Sequence, residues 1–162
     1  MSVNDRLLEL GLTLPAAPNM PASVVTTFRW VRTCGDRILV SGHGPQEADG
    51  SPAGPFGRVP DQVSLEQAQR SARLAALSVI ASVQAAVGDL DRIDAWLTVT
   101  GFVQAEPGYA KTTAVLNSFS EVVLEIFGSK IGEHARTAIG VAALPLNLPV
   151  VVAAELHLGS NS

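Results

Sequence analysis

The chain has 162 residues, 47% of them hydrophobic, and a net charge of −4 at pH 7. A chain of this length favours one core, so we predict a single domain over residues 26–160, and the scattered basic residues argue against nucleic acid as a partner. Cys34 is the only cysteine, which excludes an internal disulfide and a multi-cysteine zinc site.

The N-terminal segment, residues 1–25, is predicted to hold a short helix and an extended connector. Ser2 or Asn4 can cap a helix over Asp5–Leu10, and Gly11 would end it. Charged residues interrupt the apolar positions of this helix, so it lacks the continuous apolar region of a signal peptide. We therefore expect a cytoplasmic protein.

A hairpin and a long loop follow. Thr26–Thr33 and Arg37–Ser41 are rich in β-forming residues, and Gly35-Asp36 between them is typical of a tight turn. The region Gly42–Asp61 has too much Gly, Pro and Asp for a regular element, apart from a short strand near Gly57–Val59. Long loops in compact domains are often functional.

Two amphipathic helices are predicted. The first begins with a capping box formed by Ser64 and Gln67 and ends at Gly88. The second opens near Pro107 and ends at Gly128. The most apolar stretch in the first helix is shorter than the roughly 20 residues that a bilayer span needs, so no membrane partner is predicted.

Three further strands complete an α+β fold. Ile93–Val103 is expected at the centre of the sheet, and Arg136–Ala143 and Pro149–Leu158 flank a turn at Leu144–Leu148. Both helices can cover one face of a mixed sheet. Because Val150–Ala154 is apolar on both faces of its strand, neighbouring subunits are expected to cover the other face.

Arg136 is the most informative candidate for a site. The chain lacks zinc-ligand spacing, nucleotide-binding glycine motifs and a nucleophile elbow, so neither a metal nor a cofactor is predicted. Arg136 begins an otherwise apolar strand, and a guanidinium there needs an anionic partner because it cannot lose its charge. That partner is either a bound ligand or one of the carboxylates of Glu121, Glu133 and Glu155.

Two histidines are weaker candidates. His43 ends a strand where the long loop begins, so it could act as an acid or a base. A histidine without a nearby carboxylate is more often an ordinary loop residue. His134 precedes Arg136 by two residues and would share its face, where it could help to bind an anion.

The chain contains an ordered set of motifs. They are Val40-Ser41-Gly42-x-Gly44-Pro45, Gly88-Asp89-Leu90-Asp91-Arg92-Ile93, Asn117, Ala135-Arg136-Thr137 and Val141-x-x-Leu144-Pro145. Together they resemble the Rid/YjgF family, the reactive intermediate deaminases formerly called L-PSP endoribonucleases. The resemblance runs from about Thr26 to the C-terminus, and the N-terminal helix and longer loop indicate a subfamily longer than the best-known deaminases. It implies a chorismate-mutase-like fold and a homotrimer whose sheets form a central barrel, with ligand clefts at the three subunit interfaces.

The resemblance also implies a reaction. In the family's deaminases, the arginine at the position of Arg136 holds the carboxylate of a 2-imino acid or its enamine tautomer, water attacks the imine carbon, and ammonia leaves a 2-oxo acid. The resemblance makes Arg136 a catalytic candidate and puts Gly42 and His43 on the opposite wall of the cleft. His43, the other catalytic candidate, or Glu121 could supply the proton transfer. The substrate-binding candidates are Arg136, Thr137, Ala138, Asn117, Phe28, Gly42 and His134.

Two departures from the family pattern leave a second function open. Phe28 stands where the family has a tyrosine, and Val151 stands where it has a glutamate that assists water. Glu155 lies four residues beyond Val151, roughly 13 Å along a strand, which is too far to replace it. The alternative is therefore a non-catalytic protein that binds small carboxylates for regulation. An endoribonuclease is disfavoured by the acidic composition.

Overall fold

The computed structural model describes residues 1–160. Within this range five strands form one mixed sheet, in the order β1-β2-β5-β3-β4, which confirms the predicted α+β class. The strands are β1 (Val31–Cys34), β2 (Arg37–His43), β3 (Ile93–Gln104), β4 (Ala135–Val141) and β5 (Val150–Leu158). The helices in this range are α1 (Val3–Glu9), α2 (Leu65–Val87) and α3 (Thr112–Gly132).

Strand pairing places the start of β4 at one edge of the sheet. β4 runs parallel to β3, with Arg136 opposite Val99 and Ala138 opposite Gly101. β5 lies between β2 and β3 and is antiparallel to both. The parallel pair requires a crossover, and α3 supplies it between β3 and β4.

The hydrophobic core lies between the sheet and the two long helices, which pack on the same face as predicted. Trp96 on β3 is at its centre, with its ring centroid 6.2 Å from Phe119 and 5.6 Å from Phe127, both on α3. In the described range no helix packs on the opposite face, where Ile139 is 43% exposed.

The ends of the helices follow the capping signals in the sequence. Ser2, rather than Asn4, caps α1 in a capping box with Asp5. Ser64 and Gln67 form the predicted box at the start of α2. Gly88 ends α2 with a φ of +83°, which a residue with a Cβ adopts only at a cost. In residues 1–160, no helix combines the length and apolarity that crossing a bilayer requires.

The predicted start of α3 at Pro107 is wrong by about one turn of helix. Pro107 and Gly108 instead occupy the two central positions of a turn closed by the Tyr109 N–H, which donates to the Glu106 carbonyl at 3.0 Å. Gly108 has a φ of +82°, the conformation that the second central position of a type II turn requires. The helix begins only at Thr112. Pro-Gly was therefore a turn signal.

The first strand is shorter than predicted because residues 26–30 leave the sheet. The register between β2 and β5 shifts after Val40, where a bulge turns the β2 backbone. The Ser41 N–H still donates to the Trp30 carbonyl at 2.9 Å, and the Ser41 hydroxyl donates to the Arg29 carbonyl at 2.6 Å. Similarly, the short strand expected near Gly57–Val59 is a single bridge between Val59 and Ala105.

A charged cluster ties three elements together at one end of the sheet. His157 on β5 makes hydrogen bonds of 2.6 Å to Asp94 on β3 and 3.0 Å to Asp36 in the β1–β2 turn. Since carboxylates only accept, both ring nitrogens donate and the imidazole is protonated. The hydrogen bond to Asp94, followed by the one to Asp36, raises the pKa of His157 above its ordinary value.

This cluster predicts a pH-dependent difference in stability between wild type and His157→Gln. Because the folded state raises the pKa of His157, the stabilisation is fully present below the ordinary pKa of about 6.5 and is lost as pH rises through the folded value. Thermal melts from pH 5 to 10 should show the largest Tm gap at acid pH and a shrinking gap above. A gap that widens with pH would contradict this assignment, and Asp94→Asn should reproduce the profile.

Candidate functional site

Arg136 reaches from the edge strand to helix α3. Its partner across the sheet, Val99, faces the helices, so the Arg136 side chain points the same way. One terminal nitrogen, Nη1, donates to Ser120 Oγ at 2.9 Å, and Nη2 donates to Asn117 Oδ1 at 2.8 Å. A longer contact of 3.5 Å joins Nη2 to the Thr113 carbonyl. The guanidinium is thus held by neutral oxygens.

No carboxylate forms an ion pair with Arg136 in residues 1–160. Glu155 is bound instead to Arg37, with 2.7 Å between the Arg37 Nε and Glu155 Oε1. Glu121 lies 4.0 Å from Arg73. Partial burial lowers the pKa of Arg136, yet a guanidinium stays protonated at any physiological pH. Its positive charge is therefore not neutralised by these acids.

The guanidinium also keeps donors for a ligand. Arginine has five N–H groups. The bonds to Ser120, Asn117 and Thr113 use three of them, so Nε–H and one Nη1–H have no acceptor among residues 1–160. Glu133 and Leu124 line the same recess without closing on the guanidinium. Nε–H and Nη1–H lie on opposite edges of the guanidinium, so an anion with two oxygens in one plane binds adjacent donors when Nη2 gives up its long contact with the Thr113 carbonyl.

His134 is linked to Arg136 through Ser120. The Gly132 carbonyl can only accept, so His134 Nδ1 carries the proton that bonds it at 2.7 Å. His134 Nε2 then accepts from the Ser120 hydroxyl at 2.9 Å, while Ser120 accepts from Arg136. Burial lowers the pKa of His134, and the charge of Arg136 lowers it further, against the opposing effect of the Gly132 carbonyl. His134 is neutral at neutral pH.

These causes predict how the pKa of His134 responds to Arg136→Gln. Removing the neighbouring positive charge should raise the pKa, but not to its ordinary value of about 6.5, because burial is the larger cause and remains. NMR titration of the His134 ring signals in both proteins measures the change. The exposed Arg70→Gln, on α2, serves as the matched control and should leave the pKa unchanged. A fall in the Arg136→Gln protein would contradict the assignment.

The sequence contained a signal for the Arg136 partners that was missed. Thr113, Asn117 and Ser120 lie at i, i+4 and i+7 of α3, so they form a polar line along one side of the helix. Only Asn117 was among the predicted site residues. Gly101 on β3 brings this helix close to the sheet: a Cβ there would lie 2.4 Å from Leu116 Cγ.

Thr137 and Ala138 follow Arg136 along β4. Thr137 is exposed on the sheet face opposite the helices. The Ala138 carbonyl accepts a hydrogen bond from Thr112 Oγ1 at 3.1 Å, which leaves its second lone pair for another donor. A backbone carbonyl beside Arg136 is therefore available to a ligand, and its contact with a ligand stays a prediction.

The remaining predicted residues, Phe28, Gly42 and His43, lie elsewhere in the chain. β2 and β4 are three strand spacings apart, roughly 14 Å, so these residues do not meet Arg136 within one chain. They line a separate cavity of about 210 Å³, here called the apolar pocket. Its main walls are Phe28, Trp30, His43, Leu146, Leu148 and Val151.

His43 has both ring nitrogens engaged. Nδ1 donates to the Ser41 carbonyl at 2.6 Å, and Nε2 accepts from the Ser82 hydroxyl at 2.8 Å. The side chain is only 2% exposed, and this burial lowers its pKa. Its ring packs edge-on against Trp30, with 5.1 Å between centroids. This geometry favours a structural role for His43 as part of the pocket wall. A catalytic role for His43 stays a prediction.

Comparisons with known proteins place the whole chain among relatives of similar length. No family model matches the chain. Protein TCP17 of Trypanosoma cruzi is 35% identical over 159 residues, covering 98% of this chain and 95% of that protein. The crystal structure of Atu1372 from Agrobacterium tumefaciens, a protein with unknown function, has 34% identity and a TM-score of 0.85, covering 96% and 92% of the two chains. A "putative endoribonuclease" from Shewanella oneidensis MR-1 has 25% identity and a TM-score of 0.88, covering 98% and 100%.

Proposed function

Because this chain belongs to the Rid/YjgF family, also named YjgF/L-PSP, we propose that it binds small carboxylated ligands at Arg136 and hydrolyses 2-imino or enamino acids. The proposal includes assembly into a homotrimer, whose subunit interfaces form the ligand clefts. It also places the reaction in the cytoplasm, where the exposed thiol of Cys34 stays reduced.

One observation carries the proposal: Arg136 keeps its charge and two of its N–H donors without a carboxylate partner in residues 1–160. A partly buried, unpaired charge is costly, so a site that maintains one is a candidate for binding the opposite charge. A planar guanidinium matches the two oxygens of a carboxylate, which a lysine does not. Asn117 and Ser120 fix the orientation of the guanidinium before a ligand binds.

The proposed reaction balances without a redox cofactor. Water adds to the C=N carbon, the carbon–nitrogen bond breaks, and the nitrogen leaves as ammonia, so that an imine and water give a 2-oxo acid and ammonia. The carbon does not change its oxidation state. Arg136 orients the substrate and balances the carboxylate charge, and backbone groups near Ala138 are available to position the water or the imine.

The assembly is supported by the uncovered side of the sheet. Phe28 is 52% exposed, Ile139 is 43% exposed, and the sheet face around Ile139 has no helix over it in residues 1–160. Apolar surface of this kind is often buried by a second subunit. Within one chain the apolar pocket is too far from Arg136 for one small ligand to reach both. A neighbouring subunit would bring the two walls together.

A second candidate function is non-catalytic binding of carboxylates. The apolar pocket presents Phe28 and Val151 where the family has a tyrosine and a glutamate, and both nitrogens of His43 are engaged. Such a wall can bind without transferring a proton. The ribonuclease activity suggested by the name of the Shewanella protein is not part of our proposal, because the chain is acidic and its basic residues are scattered.

The test generates a 2-imino acid from an amino acid with a second enzyme and follows formation of the 2-oxo acid. We expect the protein to accelerate this step over buffer, and light scattering to give the mass of a trimer. Saturable 2-oxo acid binding without acceleration would favour the regulatory function. If the protein neither binds 2-oxo acids nor accelerates their formation, the proposal is refuted. Cleavage of an RNA substrate would replace the proposed activity with a ribonuclease activity.

A further inference from the structure

The apolar pocket is built around an unusual turn. Leu146 and Asn147 both have a φ of +57°, a conformation that asparagine tolerates but leucine rarely adopts. This turn projects Leu146 into the pocket wall, beside Leu148. Backbone outliers of this kind persist only where the surroundings enforce them, and they cluster at ligand sites.

Gln104 enforces the turn from the end of β3. Its side chain is 3% exposed, and its two amide atoms are both engaged. Nε2 donates to Asn147 Oδ1 at 2.7 Å, and Oε1 accepts from the Leu144 N–H at 3.0 Å. A buried amide is thereby used to fix the two ends of one short turn. Leu146 is held rather than free to move.

The N-terminal connector supplies a further wall. The Ala16 N–H donates to the Ala48 carbonyl and the Asn19 N–H to the Gly50 carbonyl, each at 2.9 Å. Gly50 has a φ of +86°, and a Cβ there would lie 2.0 Å from the Ala17 carbonyl oxygen, so the connector requires glycine. Tied down in this way, the connector places Met20 at the pocket.

The pocket offers almost nothing to a polar group. Its side chains with polar atoms are those of Thr26, Trp30, His43 and Gln46. Both nitrogens of His43 are engaged, and Thr26 is exposed. The Gln46 amide nitrogen donates to the Gly50 carbonyl at 2.8 Å, and its amide oxygen is buried without a hydrogen-bond partner among residues 1–160. Apart from Gln46 and Trp30, the wall offers a polar group no replacement for the bonds to water that it would lose. The group that fits is apolar.

We propose that the apolar pocket receives the side chain of the carboxylated ligand, and that Leu146 makes the protein select branched aliphatic or aromatic side chains over a methyl group. This inference rests on the proposed function, since the carboxylate binds Arg136 of an adjoining subunit. The cavity of about 210 Å³ is large enough. A cavity of roughly 150 Å³ lined by similar residues takes up benzene.

The experiment measures binding of two stable probes, pyruvate and 4-methyl-2-oxopentanoate, by calorimetry. We expect wild type to bind the larger acid at least about 10-fold more tightly, the range that extra methylenes give in an apolar pocket. Leu146→Asn should lose most of this preference while its affinity for pyruvate stays the same. Asparagine tolerates a positive φ, so this variant should keep the fold.

Two further variants sharpen the result. Leu146→Met keeps an apolar wall and should retain the preference. Leu8→Asn, at a residue 79% exposed on α1, should bind as wild type does. Thermal melts of each variant exclude unfolding as the cause of any change.

The outcomes separate this inference from the proposed function. If both acids bind with equal affinity and both are lost in Arg136→Ala, the pocket does not receive the side chain, although the carboxylate site stands. A preference that survives Leu146→Asn also overturns the inference. If wild type binds neither acid, both the inference and the proposed function are wrong.

Discussion

Replacing Arg136 with alanine is expected to weaken binding of 2-oxo acids by about 2–5 kcal/mol, which is about 30-fold or more. The carboxylate would lose a charged, planar partner, and Asn117 and Ser120 would lose the group that they hold. We expect the rate of imine hydrolysis at low substrate to fall by at least the same factor. Calorimetry and the coupled oxo-acid assay measure the two effects.

The matched variants distinguish the contribution of the planar guanidinium geometry of Arg136 from that of its positive charge. Arg136→Lys keeps a positive charge but not the planar pair of donors, so it should restore only a small part of the affinity. Arg73→Lys alters an arginine of α2 that pairs with Glu125 at 3.3 Å, and it should bind like wild type. Full affinity in Arg136→Lys would show that charge alone suffices.

Gly101→Val is expected to lower the free energy of unfolding by about 3 kcal/mol, at the upper end for an overpacked core. Leu116 of α3 fills the space left by the missing Cβ, with its Cγ and Cδ1 both at 2.4 Å from where that atom would lie. The valine would force α3 away from β3. Since α3 carries Asn117 and Ser120, carboxylate binding should weaken as well. Urea unfolding and calorimetry measure the two effects.

A double-mutant cycle provides the control for this prediction. Leu116→Ala alone should cost about 2–5 kcal/mol, because it empties a buried position. In the double variant, the methyl groups added at position 101 occupy the space that the leucine side chain leaves. The loss in free energy of unfolding should therefore be smaller than the sum of the two single losses. Additive losses would mean that Leu116 is not what Gly101 accommodates.

Local signals predicted the parts of the fold that depend on neighbouring residues. The capping box at Ser64 and the glycine at Gly88 gave both ends of α2, because a cap is a bond between residues a few positions apart. Pro107 was ambiguous because its local signal fits two different structures. Proline fits both the first turn of a helix and the second position of a β-turn, and the following Gly108 decided for the turn.

The site could be predicted only in part. Arg136 stood out as a charge in an apolar strand, but spacing could not tell whether Glu121 or Glu155 would neutralise it. Their pairing with Arg73 and Arg37 depends on which helices and strands are neighbours in space. The polar line on α3 was readable by helical periodicity once β4 was known to lie beside that helix.

Local residue patterns could not assemble the apolar pocket, although the family resemblance had named Phe28, Gly42 and His43 from its walls. Its walls come from the connector, the residues before β1, the end of β2, and the turn before β5, which are distant along the chain. No local periodicity links them. The positive φ of Leu146 was equally hidden, because leucine carries no signal for that conformation, and Gln104 imposes it from another strand.

A crystal structure grown with 4-methyl-2-oxopentanoate tests the central claim most directly. We predict that both carboxylate oxygens accept hydrogen bonds from the guanidinium of Arg136, in a cleft completed by the Phe28 wall of a second copy. The contradictory result is an Arg136 side chain closed onto a carboxylate of the protein itself, with the acid bound elsewhere or not at all.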